Sequence, residues 1–244
     1  MLIDLSAAFD TINHEYLLLR LQETYKIKGV VINWIKSYLT DRSFMVSLNG
    51  CTSDKASLNI GVLQGSILGP LLFILYTKGL QSLAQKYKFS IHLYADDTQI
   101  YFNLNPLVNI TKTLQDLEKC FCDIKMWMTE NYLKINESKT SMMEFHSPYT
   151  PFPLQSSFHL ETCDVTPTDE AKNLGFWFDE HLSLDSQIKR VSKTCYENLR
   201  KLGRIGLKLS KDLKIQLVHS CIHSFIDNYN ATYFTLSHIQ LQKL

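Results

Sequence analysis

Residues 89–102 read FSIHLYADDTQIYF, and the fold of the whole chain hangs on this stretch. Phe89 to Leu93 and Thr98 to Phe102 are short runs rich in apolar, β-branched and aromatic residues, as strands are. Tyr94-Ala95-Asp96-Asp97 between them is short enough to close a hairpin, which then carries two adjacent carboxylates at its tip. A third, Asp4, ends the apolar Leu2-Ile3 pair. A carboxylate in apolar surroundings is costly unless it is paired or metal-bound, so acids in these places call for a partner. Three carboxylates delivered to one place suit two Mg²⁺ ions, which take hard oxygen ligands. Two such ions about 4 Å apart can bind the attacking and leaving oxygens of an in-line phosphoryl transfer. One would lower the pKa of an attacking hydroxyl, and the other would hold a triphosphate. Asp also favours turns, and an Asp-Asp tip taken alone is more often structural.

On the C-terminal side of the hairpin, Ile110, Leu114, Leu117, Phe121, Ile124 and Met128 recur at alternating four- and three-residue steps, which predicts an amphipathic helix. On the N-terminal side, helices are expected over Asn13–Tyr25, with Asn13 as N-cap, and over Val30–Leu39. Ser43–Leu48 alternates like a strand and turns at Asn49-Gly50, with Leu58–Val62 as the expected partner. One helix should start at Gly69-Pro70 and extend toward Lys86. Further strands are expected at Tyr132–Ile135, Ser141–Phe145, Phe158–Leu160 and Leu174–Phe178. Three prolines between Ser147 and Pro153 mark the best boundary, and two basic amphipathic helices, about Leu184–Ile205 and Ser210–Ile226, follow. Helices and hairpins mixed without βαβ regularity predict an α+β domain with a helical appendage.

Composition excludes several classes. An apolar fraction of 45% and a charged fraction of 20% over 244 residues are globular values, not those of a disordered chain. The six cysteines form no CxxC pair, which argues against a zinc site and against a disulfide framework and favours a reducing compartment. The longest apolar run, Ile67 to Tyr76, is broken by Gly69-Pro70 and is too short for a membrane span. The N-terminus, MLIDLSAAFD, has no basic n-region and does not read as a signal peptide. Net charge is +1, but it is unevenly spread. From Leu184 onward ten basic residues face four acidic ones, a net +6, which leaves −5 on the first 183 residues. That division suits a polyanion held by one region and metal-binding acids in the other, and equally a solvated helix face.

Three segments together resemble LINE-type (non-LTR) reverse transcriptases. LIDLSAAFDTINH (2–14) is similar to their motif A, GVLQGSILGPLLFILY (61–76) to motif B, and HLYADDTQIYF (92–102) to motif C with its YxDD core. LKINESKT (133–140) resembles motif D, NLGFWFD (173–179) motif E, and VSKTCYENLRKLGRI the thumb. The order and spacing follow the family, and the resemblance spans nearly the whole chain.

The resemblance implies roles for individual residues. Asp4, Asp96 and Asp97 would be the metal ligands, with Mg²⁺ as two ions and Mn²⁺ as the substitute. Phe9 would be the steric gate that turns away a 2′-hydroxyl; as residues alone go, it is also a plain core Phe. Gln64 and Gly65 would lie near the template and incoming nucleotide, Gly because it lets a base approach the backbone. Lys139 would be a general acid to the pyrophosphate, or simply an exposed lysine. Asp10 is expected to make a structural hydrogen bond. Leu63 stands where the family usually has Pro.

The implied architecture is a right-hand polymerase palm, an antiparallel sheet with packed helices, followed by a helical thumb, the fingers being largely missing. Its expected divisions are 1–146 for the palm with partial fingers-like elements, 147–183 for the end of the palm and primer grip, and 184–244 for a basic thumb. Fingers and endonuclease regions of a parent polyprotein are expected before Met1, so the isolated chain should polymerise poorly. The implied partners are RNA template, DNA primer and dNTP, in an intracellular ribonucleoprotein of nucleus or cytoplasm. The competing expectation is an inactive or co-opted remnant that only binds nucleic acid.

Overall fold

The computed structural model describes residues 1–103, 110–149, 158–160, 163–205 and 209–243. Two compact units emerge, Met1–Ser141 with Ser156–Thr166, and Met142–Gln155 with Pro167–Leu244. The strand pair near residue 175 thus groups with the C-terminal helices, whereas the sequence assigns it to the end of the palm.

Along the first unit run β1 (Leu2–Ile3), β2 (Leu5–Ser6), α1 (His14–Glu23), α2 (Gly29–Leu39), β3 (Ser43–Phe44), β4 (Ser47–Leu48), β5 (Cys51–Thr52) and β6 (Ala56–Ser57). Then follow α3 (Gly69–Thr77), α4 (Gly79–Lys86), β7 (Ser90–Tyr94), β8 (Asp97–Tyr101), α5 (Ile110–Glu130), β9 (Lys134–Ile135), β10 (Phe158–Leu160) and β11 (Cys163–Val165).

The hairpin of residues 89–102 forms as expected, and β8 is the middle strand of a β1-β8-β7 sheet. Successive residues of a strand face opposite sides. Ile3, Thr98 and Ile100 accordingly turn inward and are at most 2% exposed. Leu2 and Gln99, paired across β1 and β8, take the other face. The apolar stripe of α5 supplies much of the core: Leu117, Cys120, Phe121, Ile124 and Met128 are all buried. Burial pushes the Cys120 thiol up to about 11, which leaves it inert as a nucleophile.

A polar knot joins α1, α3 and α5. The last carbonyls of a helix lack intrahelical partners. Arg20 meets this need by donating to the Tyr76 carbonyl near the end of α3, and its other nitrogen donates to Asn131 Oδ1. The Tyr76 hydroxyl donates to the Asn131 carbonyl at 2.7 Å, and the guanidinium lies 5.0 Å from the Trp127 ring centroid.

Asn13 caps α1 as expected, accepting from the Tyr16 amide. Three expectations need correction. Asn49-Gly50 does turn a hairpin, but β4 pairs with the adjacent β5, and β3 with β6, so Leu58–Val62 is not the partner. That segment runs instead beside the start of α1, where Ile60 bridges Asn13 and the Gly61 amide donates to the Ile12 carbonyl. The single helix expected from Gly69 to Lys86 is two, α3 and α4. A Cβ at Gly79, the first residue of α4, would stand 2.8 Å from the Trp127 ring. Ser141–Phe145 is no strand; Ser141 and Met142 make only isolated bridges, to Leu2 and Pro167.

The second unit contains β12 (Glu170–Asn173), β13 (Phe176–Asp179), α6 (Asp185–Ile205), α7 (Lys211–Val218), α8 (Ser224–Asp227) and α9 (His238–Leu241). Leu174 and Gly175 turn β12 into β13 with φ of +48° and +87°. Buried Val191 and Cys195 of α6 pack with Ile222, which lies in a π-helical turn linking α7 to α8. Arg190 stacks 3.6 Å from the Trp177 ring centroid and pairs with Glu170 at 2.7 Å. The proline-rich boundary lies largely outside the described residues, as does the 206–208 link between α6 and α7.

If the α5 stripe is the core of the first unit, Ile124→Ala should cost about 2–5 kcal/mol. Urea unfolding followed by circular dichroism should show an earlier midpoint at unchanged slope.

Candidate active site

The strand entering from residue 2 exchanges partners at Asp4. Before it, β1 pairs with β8 in the register Leu2↔Gln99 and Ile3↔Thr98. After it, β2 pairs with β9, and the Asp4 carbonyl accepts from the Asn136 amide at 2.8 Å. Continuing the first register by one step sets Asp4 abreast of Asp97. Directly opposed residues hold their Cβ atoms about 4.5–5.5 Å apart. Asp97 is itself paired with Tyr94 across the hairpin, so Asp96 is the turn residue beside it, and the turn is entered through Ala95 at φ +51°.

Lys139 arrives by the same route. β9 leads into a 3-10 turn, Glu137–Lys139, held at its start by Asn136, whose carbonyl accepts from the Lys139 and Thr140 amides. The Lys139 ammonium comes to 3.7 Å from Asp4 Oδ2. Asp4 is thereby drawn toward a cation of the chain's own. As a set, the oxygens of Asp4, Asp96 and Asp97 do not all close to within 4.8 Å of one another.

Repulsion among like charges registers at Asp97. Burial raises its pKa above the ordinary value, and the charges of Asp96 and Asp4 raise it further. The donor set, carboxylate oxygens carrying more negative charge than the chain neutralises, fits a hard divalent cation.

The remaining expected residues form a second cluster. Phe9 stacks on Phe73 of α3, with ring centroids 4.7 Å apart. Its carbonyl accepts from the Val62 amide, and His14 Nε2 lies 2.7 Å from the Gly61 carbonyl. Gln64 donates to the Asp10 carboxylate at 3.2 Å, which supplies the structural hydrogen bond expected of Asp10. Gly65 has φ +79° and open space on the side a Cβ would fill. Ser66 fixes the loop by donating to the Leu63 carbonyl and accepting from the Gly69 amide.

Gly61 and His14 were not singled out by the sequence, although they fasten the Phe9–Ile12 segment to the Gln64 loop. A Cβ at Gly61 would meet the Asp10 backbone at 2.9 Å, and its φ is +85°. A Gly opening a loop was the available signal, but its cause is the approach of a segment some fifty residues away.

Residues 1–178 match the family described as "Reverse transcriptase (RNA-dependent DNA polymerase)". The "Probable RNA-directed DNA polymerase from transposon BS" of Drosophila melanogaster is 29% identical over 205 residues, 82% of this chain and 22% of that protein. The "RNA-directed DNA polymerase from mobile element jockey" of Drosophila funebris is 27% identical over 233 residues, 90% of this chain and 24% of its own length. The chain thus spans less than a quarter of these relatives. A structure of telomerase from Candida albicans covers 96% of this chain and 39% of its own at 12% identity, with a TM-score of 0.39, too loose to carry a fold assignment.

A carboxyl group whose pKa is higher in the folded state costs stability when ionised. That cost is absent below the ordinary value and in full force once the pH has risen through the raised one. Asp97→Asn should therefore raise the melting temperature of chelator-treated protein at pH 7. The gain should fade as the pH drops toward and below the ordinary Asp value of 3.8. A gain that persists undiminished in acid would rule out ionisation as its source.

Proposed function

The chain belongs to the reverse transcriptase (RNA-dependent DNA polymerase) family, and on that premise we propose that it forms the nucleotidyl-transfer centre of a non-LTR retrotransposon polymerase. The observation that supports this reading is the β1–β8 register, Leu2↔Gln99 and Ile3↔Thr98, whose continuation by one step points Asp4 toward Asp97 and the tip that also holds Asp96. Members of the family use divalent metal ions. Asp4, Asp96 and Asp97 would hold two Mg²⁺, or Mn²⁺ in their place, and these would supply Lewis acidity toward the attacking 3′-hydroxyl and charge neutralisation for pyrophosphate.

The substrates on this reading are an RNA template, a DNA primer and dNTPs, and the chain's own groups divide the remaining work. Lys139, on the exposed side of Asp4, donates a proton to the departing pyrophosphate. Phe9, braced by Phe73, is a wall against a 2′-hydroxyl; bracing matters because a ring free to swing aside would discriminate poorly. Gln64, oriented by Asp10, and Gly65, with open space beside it, line the approach of template and nucleotide. Lys189, Lys193, Arg200, Lys201 and Arg204 are exposed on α6 and contact backbone phosphates, so affinity for duplex should fall steeply with salt.

Primer extension on poly(rA)/oligo(dT) with Mg²⁺ tests the proposal. Incorporation is expected from the wild-type chain and none from Asp96→Ala/Asp97→Ala. Equal extension by both would refute the reading. Duplex binding by both with extension by neither would replace it with a nucleic-acid-binding remnant. Separately, Phe9→Val should reduce the preference for dNTP over rNTP by about tenfold or more, read from the ratio of kcat/KM values.

A further inference from the structure

In the second unit, His146, Glu180 and His181 bring ligand atoms together. One atom from each lies within 4.8 Å of the other two. His146 Nε2 is 3.4 Å from Glu180 Oε2, and His181 Nε2 is 3.5 Å from Glu180 Oε1. The two rings stand edge to face, with centroids 4.7 Å apart. We propose that these three side chains form a binding site for a borderline divalent metal ion of the Zn²⁺ class, one that clips the segment at His146 to the end of β13.

The first ground is ring orientation. His146 Nδ1 lies 3.3 Å from the Ser147 carbonyl, and His181 Nδ1 lies 3.2 Å from the His146 carbonyl. A carbonyl only accepts, so each Nδ1 carries the proton. In the neutral ring, the form that binds a metal, each Nε2 is then left to offer its lone pair, in the arrangement by which backbone groups orient imidazole ligands. Both lone pairs face the Glu180 carboxylate. Groups that only accept do not attract one another, and a cation between them removes the conflict.

The second ground is spacing. A charge-assisted N–H···O bond closes to about 2.7–2.9 Å. Ligand atoms sharing a tetrahedral ion with bonds of about 2.0–2.1 Å stand about 3.3–3.5 Å apart. The distances of 3.4 and 3.5 Å, one to each Glu180 oxygen, are too long for the first arrangement and match an imidazole–carboxylate edge of the second.

The third ground is support from the backbone. The His146 amide donates to the Glu180 carbonyl at 3.1 Å, and the His181 amide to Asp179 Oδ1 at 3.2 Å, so the two ligand segments are joined without the ion. Imidazole donors distinguish this site chemically from the all-carboxylate one, since they favour Zn²⁺, Cu²⁺ or Ni²⁺ over Mg²⁺. The absence of a CxxC pair bears only on thiolate sites.

Equilibrium dialysis of the chelator-stripped full chain against Zn²⁺, in excess Mg²⁺ to occupy the aspartates, tests the proposal. One equivalent of Zn²⁺ is expected, with affinity lowered at least tenfold in His146→Gln and in His181→Gln and unchanged in Asp96→Asn/Asp97→Asn. Binding that survives both histidine changes, or that disappears with the aspartate pair, would overturn it. X-ray absorption of the Zn²⁺-loaded wild-type protein needs no variant to fold. Imidazole nitrogen with oxygen is expected around the ion, and a shell containing sulfur, or lacking imidazole, would overturn the assignment.

Discussion

Everything at the aspartate centre depends on an antiparallel register held by main-chain hydrogen bonds. Leu2↔Gln99 and Ile3↔Thr98 fix β1 on β8, and side-chain alternation does the rest. Ile3, Thr98 and Ile100 go into the core, and the facing side is left to Asp4 and Asp97. A slip of one residue would exchange the two sets and send a carboxylate inward. The apolar residues therefore specify where the acids stand as strictly as the acids specify what the site can hold. The raised pKa of Asp97 is the electrostatic expression of the same packing.

The loop that begins at Gly61 is governed in the same way. Its first residues lie against Phe9–Ile12 through backbone bonds, and Gly61 is required because any Cβ would strike Asp10. Asp10 then holds Gln64, and Phe73 holds Phe9. Two stretches remote in sequence are thus one structural object, and the residues that resembled separate motifs support one another.

Much of this was legible in the chain itself. The cap at Asn13, the α5 stripe and the 89–102 hairpin follow from local chemistry that tertiary contacts leave alone. The failures are those in which a distant group decides. Nothing between Gly69 and Lys86 announces that Gly79 must meet Trp127, so the helix reads as unbroken. Leu58–Val62 has the look of a hairpin partner, but β4 found a nearer one and the segment went to α1 instead. Of the candidate site, the identities of the acids, Phe9, Gln64, Gly65 and Lys139 could be named from resemblance. The pairing of Lys139 with Asp4 could not, because it depends on where β9 releases the chain. His146, Glu180 and His181 carry no motif at all; only the path of the backbone unites them.

The handover at Asp4, from β8 on one side to β9 on the other, also has a consequence in time. The first strand can complete neither pairing until residues near 97 and 135 exist, so its contacts are among the most non-local in the first unit. On a ribosome, β1 and β2 would be made before β8 and β9 and docked late, waiting through synthesis of α1 to α5 for the strands that receive them. Assembly of the acidic centre thereby becomes a checkpoint on completion of that unit: a chain stopped short of β9 would carry every helix beneath the sheet and still leave Asp4 half anchored.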